Sequence, residues 1–249
     1  MPNIYELANP VRFERLARPA IPWLAGATVI LLGAGLYFSL FNSPADYQQS
    51  DSVRIMYVHV PAAWMALFTY TFLTMASAIG FVWKHPLADV AAKETAPIGA
   101  AFTLLALLTG ALWGKPMWGA WWVWDARLTS VLILFFLYLG YIAVWRAFDD
   151  KARAARLAAI LSFVGFVNIP IIKFSVDWWN SLHQPASVFR KGGPSIDPSM
   201  LTPLFLMAIA YTVFFAAALL QSMLNELAAR RLTRLEAAET KTGSVLVES

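Results

Sequence analysis

Two histidines, His59 and His183, and the stretch WGKPMWGAWWVWDAR from Trp113 to Arg127 carry the residue types in this chain best suited to chemistry. Five of the eleven tryptophans fall between Trp113 and Trp124, and the stretch closes on an acid and a base, Asp125 and Arg127. Wound as a helix, it sets Trp118, Trp121, Trp122 and Asp125 at i, i+3, i+4 and i+7, with three indoles and one carboxylate on a shared face. Gly114, Pro116 and Gly119 keep any such helix short. Tryptophan also gathers at membrane interfaces, half buried with its N–H wet. Trp23, Trp64, Trp83 and Trp145 already stand near the ends of other apolar runs, so the cluster exceeds what anchoring requires.

Two imidazoles with scattered carboxylates fall short of the ligand sets zinc takes, whether structural or catalytic. No serine stands in a recognisable nucleophile setting, and there is no cysteine. A ligand that wants two axial nitrogens and a broad apolar wall is haem. Neutral imidazoles would hold the iron from opposite faces and indoles would cover the ring. Arg127, Lys115, Arg54, Arg190 and Lys191 are the cations placed to meet propionates. With no C-x-x-C-H sequence, such a haem is held noncovalently.

The elements that must position these residues are membrane helices. The chain has 249 residues, 59% hydrophobic and only 14% charged, with a mean hydropathy of +0.58, too apolar for a soluble domain of this size. Six runs are long enough to cross a bilayer, at about 21–41, 60–83, 95–113, 127–146, 155–174 and 201–224. The expected fold is all-α, one six-helix membrane domain over 1–249. Its first span is uncleaved, because a long polar and basic segment precedes it and no small-x-small site follows. The net charge of +4 does not point to nucleic acid, because the charges sit almost wholly outside the apolar runs.

Lysine and arginine orient the bundle. Thirteen of the nineteen lie on one side (Arg12, Arg15, Arg18, Lys84, Lys93, Arg146, Lys151, Arg153, Arg156, Arg230, Arg231, Arg234, Lys241). Six lie on the other: Arg54, Lys115, Arg127, Lys173, Arg190 and Lys191. Both termini are therefore expected in the cytoplasm, with the tryptophan segment 113–127 and the loops 42–59 and 175–200 outside. His59 and His183 share that outer face, and His85 falls in a cytoplasmic turn. Pro185, Gly192, Gly193, Pro194 and Pro198 make the last outer loop an irregular lid. Asn168 and Pro170 bend the fifth span, and Gly26, Gly33 and Gly35 suit close packing of the first. Asp125 suits an N-cap of the fourth span, and Arg127 suits a partner for either Asp125 or a propionate. Within the tail 225–249, NELAARRLTRLEAAE reads as a short charged helix and TGSVLVES as frayed chain.

The apolar cores of the spans hold no ionisable residue apart from Lys173 near an outer end, which argues against proton relays and ion-coupled transport. The Gly114-Lys115 pair is no P-loop: Thr109 stands where the first glycine belongs and Pro116 where Ser or Thr belongs. The chain does not hydrolyse ATP by itself.

The run WGAWWVWDARLTS from Trp118 to Ser130 resembles the signature of the tryptophan-rich haem-handling proteins. The whole chain, with YVHVPAAW around His59 and NIPIIKFSVDWWNSLHQ through His183, resembles their CcmC family, which serves bacterial cytochrome c maturation. The resemblance implies a noncatalytic protein of the bacterial inner membrane that binds haem b at its periplasmic face. It implies His59 and His183 as axial ligands, and Trp118, Gly119, Trp121, Trp122, Trp124 and Asp125 as the haem-binding segment, with Arg127 beside them. The implied partners are a periplasmic haem chaperone, the ATPase and membrane subunit of an ABC transporter, and a small single-span subunit, all within membrane lipid. The competing readings are a channel that exports haem through the bundle and, from another class, a haem-linked membrane oxidoreductase. The latter would place haem ligands inside the spans, where this sequence has none.

Overall fold

Helix boundaries in this chain are written by caps. In the computed structural model, which describes residues 9–247 with side chains for 9–239, Asn9 opens helix α1 (Pro10–Tyr37). Its side-chain oxygen accepts from the Val11 N–H at 2.9 Å, with Pro10 in the first turn. A π-helical turn, Phe38–Asn42, and a 3-10 turn, Asp51–Ile55, lead to α2 (Met56–Trp83). His85 caps α3 (Pro86–Trp118) by accepting from Ala88 N–H at 3.2 Å. Asp125 caps α4 (Ala126–Ala147), and Asp150 caps α5 (Lys151–Phe166) by accepting from Ala152 N–H at 2.9 Å. Helix α6 (Asn168–Trp178) follows α5 after a break at Val167, and α7 runs from Pro198 to Val247.

The protein is all-α, and six helical stretches are long and apolar enough to span a membrane, with α5 and α6 together making the fifth. All six expected runs are present. The helices overshoot them at the polar ends: the third starts at Pro86 rather than near 95, because His85 and Pro86 begin it within the charged segment. The charged stretch after the sixth span is a continuation of α7, and the segment read as frayed is helical as far as Val247. Its last two residues lie outside the described ones. The expected bend in span five is the α5–α6 break. Pro170 there has no N–H to donate back, and Asn168 instead donates from Nδ2 to Ser130 O on α4 at 2.8 Å.

Helix α2 packs along α3 and also meets α5 and α7, while α1 lies outermost against α7. Tyr57, Tyr70, Leu73, Val90, Leu134, Tyr138, Tyr141, Leu204 and Met207 are fully buried between them. Most hydroxyls among these are satisfied inside the bundle: Tyr138 OH donates to Ala66 O at 2.8 Å, and Tyr141 OH and Ser77 Oγ are 3.0 Å apart. Lipid offers no alternative partner there. Away from the histidines, Glu226 of α7 pairs with Lys93 of α3 at 2.5 Å and with Arg230 at 2.7 Å, fixing the two helices to each other. Of the three glycines in α1, only Gly35 serves close packing, since a Cβ there would meet Met207 Sδ at 2.7 Å. Positions 26 and 33 face open space, because α1 has the bundle on one side only.

Gly165 is the tightest approach between α5 and the core: a Cβ would lie 2.0 Å from the hydroxyl of Tyr70, which is buried without a hydrogen-bond partner among the described residues. Gly→Ala in a helix gains up to about 1 kcal/mol in propensity, but overpacking of this kind costs about 1–3 kcal/mol. Gly165→Ala is therefore expected to lower the thermal midpoint in detergent, and adding Tyr70→Phe to recover much of it. A midpoint at or above that of the parent in Gly165→Ala would contradict the packing described.

Candidate functional site

Both sequence-predicted histidines meet at one end of the bundle, and they arrive by different routes. His59 stands in the first turns of α2, and its Nδ1 lies 3.0 Å from Ala106 O and 3.2 Å from Thr109 Oγ1 on α3. The Thr109 hydroxyl donates to Leu105 O at 2.6 Å, so the proton of the His59 contact belongs to Nδ1. Gly110 leaves room for the ring: a Cβ there would be 3.0 Å from His59 Cε1. Trp113, one turn further along α3, packs edge-on against the imidazole, with centroids 5.6 Å apart and planes at 75°, and donates from Nε1 to Gln49 Oε1 at 2.9 Å.

His183 comes from the irregular segment 179–197. Its Nδ1 lies 3.0 Å from Gln184 O, which again assigns the proton to Nδ1. Burial pushes the pKa of this imidazole below its ordinary value. The cation of Arg127 adds to that effect, while the bond to Gln184 O and the charge of Asp125 oppose it. The ring is thus held neutral. Arg127 Nη1 approaches the same Nδ1 at 3.4 Å; with both atoms carrying protons this is proximity, not a hydrogen bond. The rings of His59 and His183 are 6.5 Å apart at an angle of 36°. In each, the Nδ1 proton is committed to a backbone carbonyl, which leaves Nε2 as the lone-pair nitrogen. That is the arrangement by which proteins prepare a histidine to bind a metal.

The tryptophan segment is not the single helical face its spacing suggests. Helix α3 ends at Trp118, and Gly119, at a φ of 73°, takes the left-handed position that closes it, donating its N–H to Lys115 O at 3.1 Å. The chain then bends and runs without regular structure to Asp125, so the i, i+3, i+4, i+7 register is lost after its first member. Trp118 stays with the histidines, 6.5 Å from His183. Trp122 and Trp124 meet each other at 5.5 Å, near perpendicular, and Trp122 Nε1 is buried with no acceptor among the described residues. Trp124 and Trp121 are 78% and 56% exposed, Trp121 with the Lys115 ammonium 5.9 Å from its ring. The segment divides into an inner part beside the histidines and an outer part facing away from the bundle.

Asp125 and Arg127 act as fasteners. Asp125 Oδ1 accepts from Leu128 N–H at 2.7 Å, the expected cap, and Oδ2 accepts from Ser181 Oγ at 2.5 Å. Arg127 makes no ion pair with Asp125 among the described residues. It donates instead to Ser175 Oγ at 3.1 Å and to the carbonyls of Ile172 and Lys173 at 3.3 and 3.2 Å, tying α4 to the side of α6. Arg54 is occupied elsewhere, donating to the carbonyls of Ser39 and Leu40 in the π-helical turn after α1 and to Asp51. Lys115 donates to Gly119 O at 2.9 Å, and Arg190 and Lys191 are exposed on the loop. Gly110, Gln49, Ser175 and Ser181 were not singled out by sequence, and Thr109 only as a position that breaks a P-loop. Only Ser181, two residues before His183, carried a local hint.

The family model described as CcmC, Heme exporter protein C, matches residues 3–238. A heme exporter protein C of Bradyrhizobium diazoefficiens is 60% identical over 94% of this chain and 89% of its own length. The protein of that name in Escherichia coli is 48% identical over 90% of each. A putative cytochrome c biosynthesis ccmC-like mitochondrial protein of Marchantia polymorpha is 50% identical over 76% of this chain and 79% of its own.

The three acceptors of Arg127 make it the joint between α4 and α6. Arg127→Lys keeps the charge but loses the planar fork, and is expected to cost about 1–3 kcal/mol and to speed amide exchange over residues 172–178. Unchanged exchange there would show that α6 is held by something else.

Proposed function

Because the chain belongs to the CcmC heme exporter protein C family, we propose that it binds haem b noncovalently between His59 and His183 at the periplasmic face of the bacterial inner membrane. There it presents the haem to a periplasmic haem chaperone for c-type cytochrome biogenesis. The observation that carries this reading is the pair of imidazoles with rings 6.5 Å apart, each with Nδ1 bound to a backbone carbonyl. Two metal–imidazole bonds of about 2 Å each, plus the reach from each nitrogen to its ring centre, give a separation of this order. The residues present therefore fit a bis-histidine haem.

Haem here is cargo, and the chain's own groups bind, orient and release it. Ala106 O and Gln184 O fix the two tautomers. Trp113 and Trp118 wall the histidines with apolar surface, and Gly110 keeps the His59 ring unobstructed. Arg190 and Lys191 are exposed on the loop and pair with no protein carboxylate among the described ion pairs, which suits them to propionates. Arg127 contributes positive charge next to His183. The exposed Trp121 and Trp124 offer the chaperone an aromatic surface at the mouth of the site.

The excess of lysine and arginine at the opposite end supports a periplasmic orientation. The name exporter, carried by the relatives, raises passage through the bundle as the second reading. The interior between α2, α3 and α4 is filled by Tyr70, Leu73, Leu134, Tyr138 and Tyr141, all fully buried, which favours presentation at one end over transit through the middle. An ABC transporter ATPase with its membrane subunit and a small single-span subunit complete the proposed assembly, and this chain contributes haem binding and no catalysis.

If the reading holds, purified protein loaded with haem changes its absorption spectrum when either His59→Ala or His183→Ala is introduced, and the double variant loses haem on gel filtration. A double variant with the parent spectrum and full retention would overturn the assignment.

A further inference from the structure

The two proposed ligands are held with unequal security. His59 is part of a helix buried against α3, whereas His183 belongs to a segment without regular structure. What fixes the second is a short relay. The carboxylate of Asp125 caps α4 through Oδ1 and accepts the Ser181 hydroxyl through Oδ2. The Ser181 oxygen in turn accepts the backbone N–H of His183 at 3.0 Å. One hydroxyl thus donates its proton to Asp125 and accepts the His183 N–H on a lone pair, the two bonds in series. Its acceptor is charged, so the bond is of the stronger kind. No other side chain among the described residues bonds to the backbone of His183.

We propose that Ser181 is the positioning residue for His183: it transmits the fixed position of Asp125, at the head of α4, to the backbone that carries the loop imidazole. The proposal rests on the reading of His183 as a haem ligand. It also gives Asp125 a task beyond capping: the same carboxylate ends the tryptophan segment, so segment and loop are tied at one point. Farther along, the loop also has apolar contacts with the bundle: Phe189 packs on Trp64 of α2 at 5.1 Å and on Phe205 of α7 at 6.3 Å, and Val188 is buried in the core. Those contacts hold the loop down without setting the direction of the His183 ring.

Groups that orient a metal ligand from behind are worth tenfold to a hundredfold in affinity, typically. In the full chain in detergent, haem titration of Ser181→Ala is expected to show about a tenfold weaker affinity. Its spectrum should move from the six-coordinate form toward one with a single axial histidine. Ser181→Thr, which keeps the hydroxyl, should restore both. His183→Ala, measured alongside, tests the ligand assignment itself: if its spectrum equals that of the parent, the reading of His183 fails, whatever Ser181 does. If His183→Ala changes the spectrum while Ser181→Ala matches the parent in affinity and spectrum, the positioning role is overturned. Weakening in Ser181→Ala that Ser181→Thr does not repair, with the six-coordinate spectrum kept, would likewise overturn it, since the hydroxyl would then not be what aims the ring.

Discussion

A neutral imidazole can offer a lone pair from only one nitrogen, and the hydrogen bond at the other decides which. In this protein that bond goes to a main-chain carbonyl twice, from His59 to Ala106 O and from His183 to Gln184 O. A carbonyl accepts and never donates, so it fixes the tautomer without itself titrating. Both Nε2 atoms are thereby left as bases at one end of a helical bundle, with the rings 6.5 Å apart. The remaining features of that end serve to bring these two carbonyl-bound rings together and to hold them there.

The bundle supplies one ring and the tethered loop the other. Helices α2 and α3, packed along their length, fix His59 against Ala106, Thr109 and Gly110. The second ring needs α4 and α6, because the loop that carries it leaves from the end of α6 and is tied to the cap of α4. Arg127 joins those two helices through Ser175 and the carbonyls of Ile172 and Lys173, while Asp125 reaches the loop through Ser181. Polar groups that would be costly unpaired at the edge of a membrane are spent on one another. In the proposed role, one rigidly held and one tethered histidine suit a site that holds haem and then surrenders it.

Much of this was legible in the sequence. Apolar runs of membrane length gave six spans, and the histidines and tryptophans fell on one side by counting helices. Asp125 showed itself as a cap because an acid stood directly before an apolar run. The tryptophan face was misread for a local reason: Gly119 adopts a left-handed conformation and ends α3 one residue after Trp118, so a periodicity that assumes a continued helix fails beyond it. The partners of Arg127 were hidden because all of them lie more than forty positions away and two are carbonyls, which leave no mark in a sequence. Arg54 looked like a free cation at the outer face because carbonyls leave no mark in a sequence, although its guanidinium is taken by two carbonyls of the π-helical turn after α1.

In the proposed site, two neutral histidines, His59 and His183, bind one haem iron through Nε2. Electron paramagnetic resonance of the ferric, haem-loaded parent protein, prepared with uniformly labelled 15N-histidine for hyperfine detection, tests this most directly. Ligation by both histidines predicts a low-spin signal with two coupled histidine nitrogens. A high-spin signal, or coupling to a single histidine nitrogen, would contradict it.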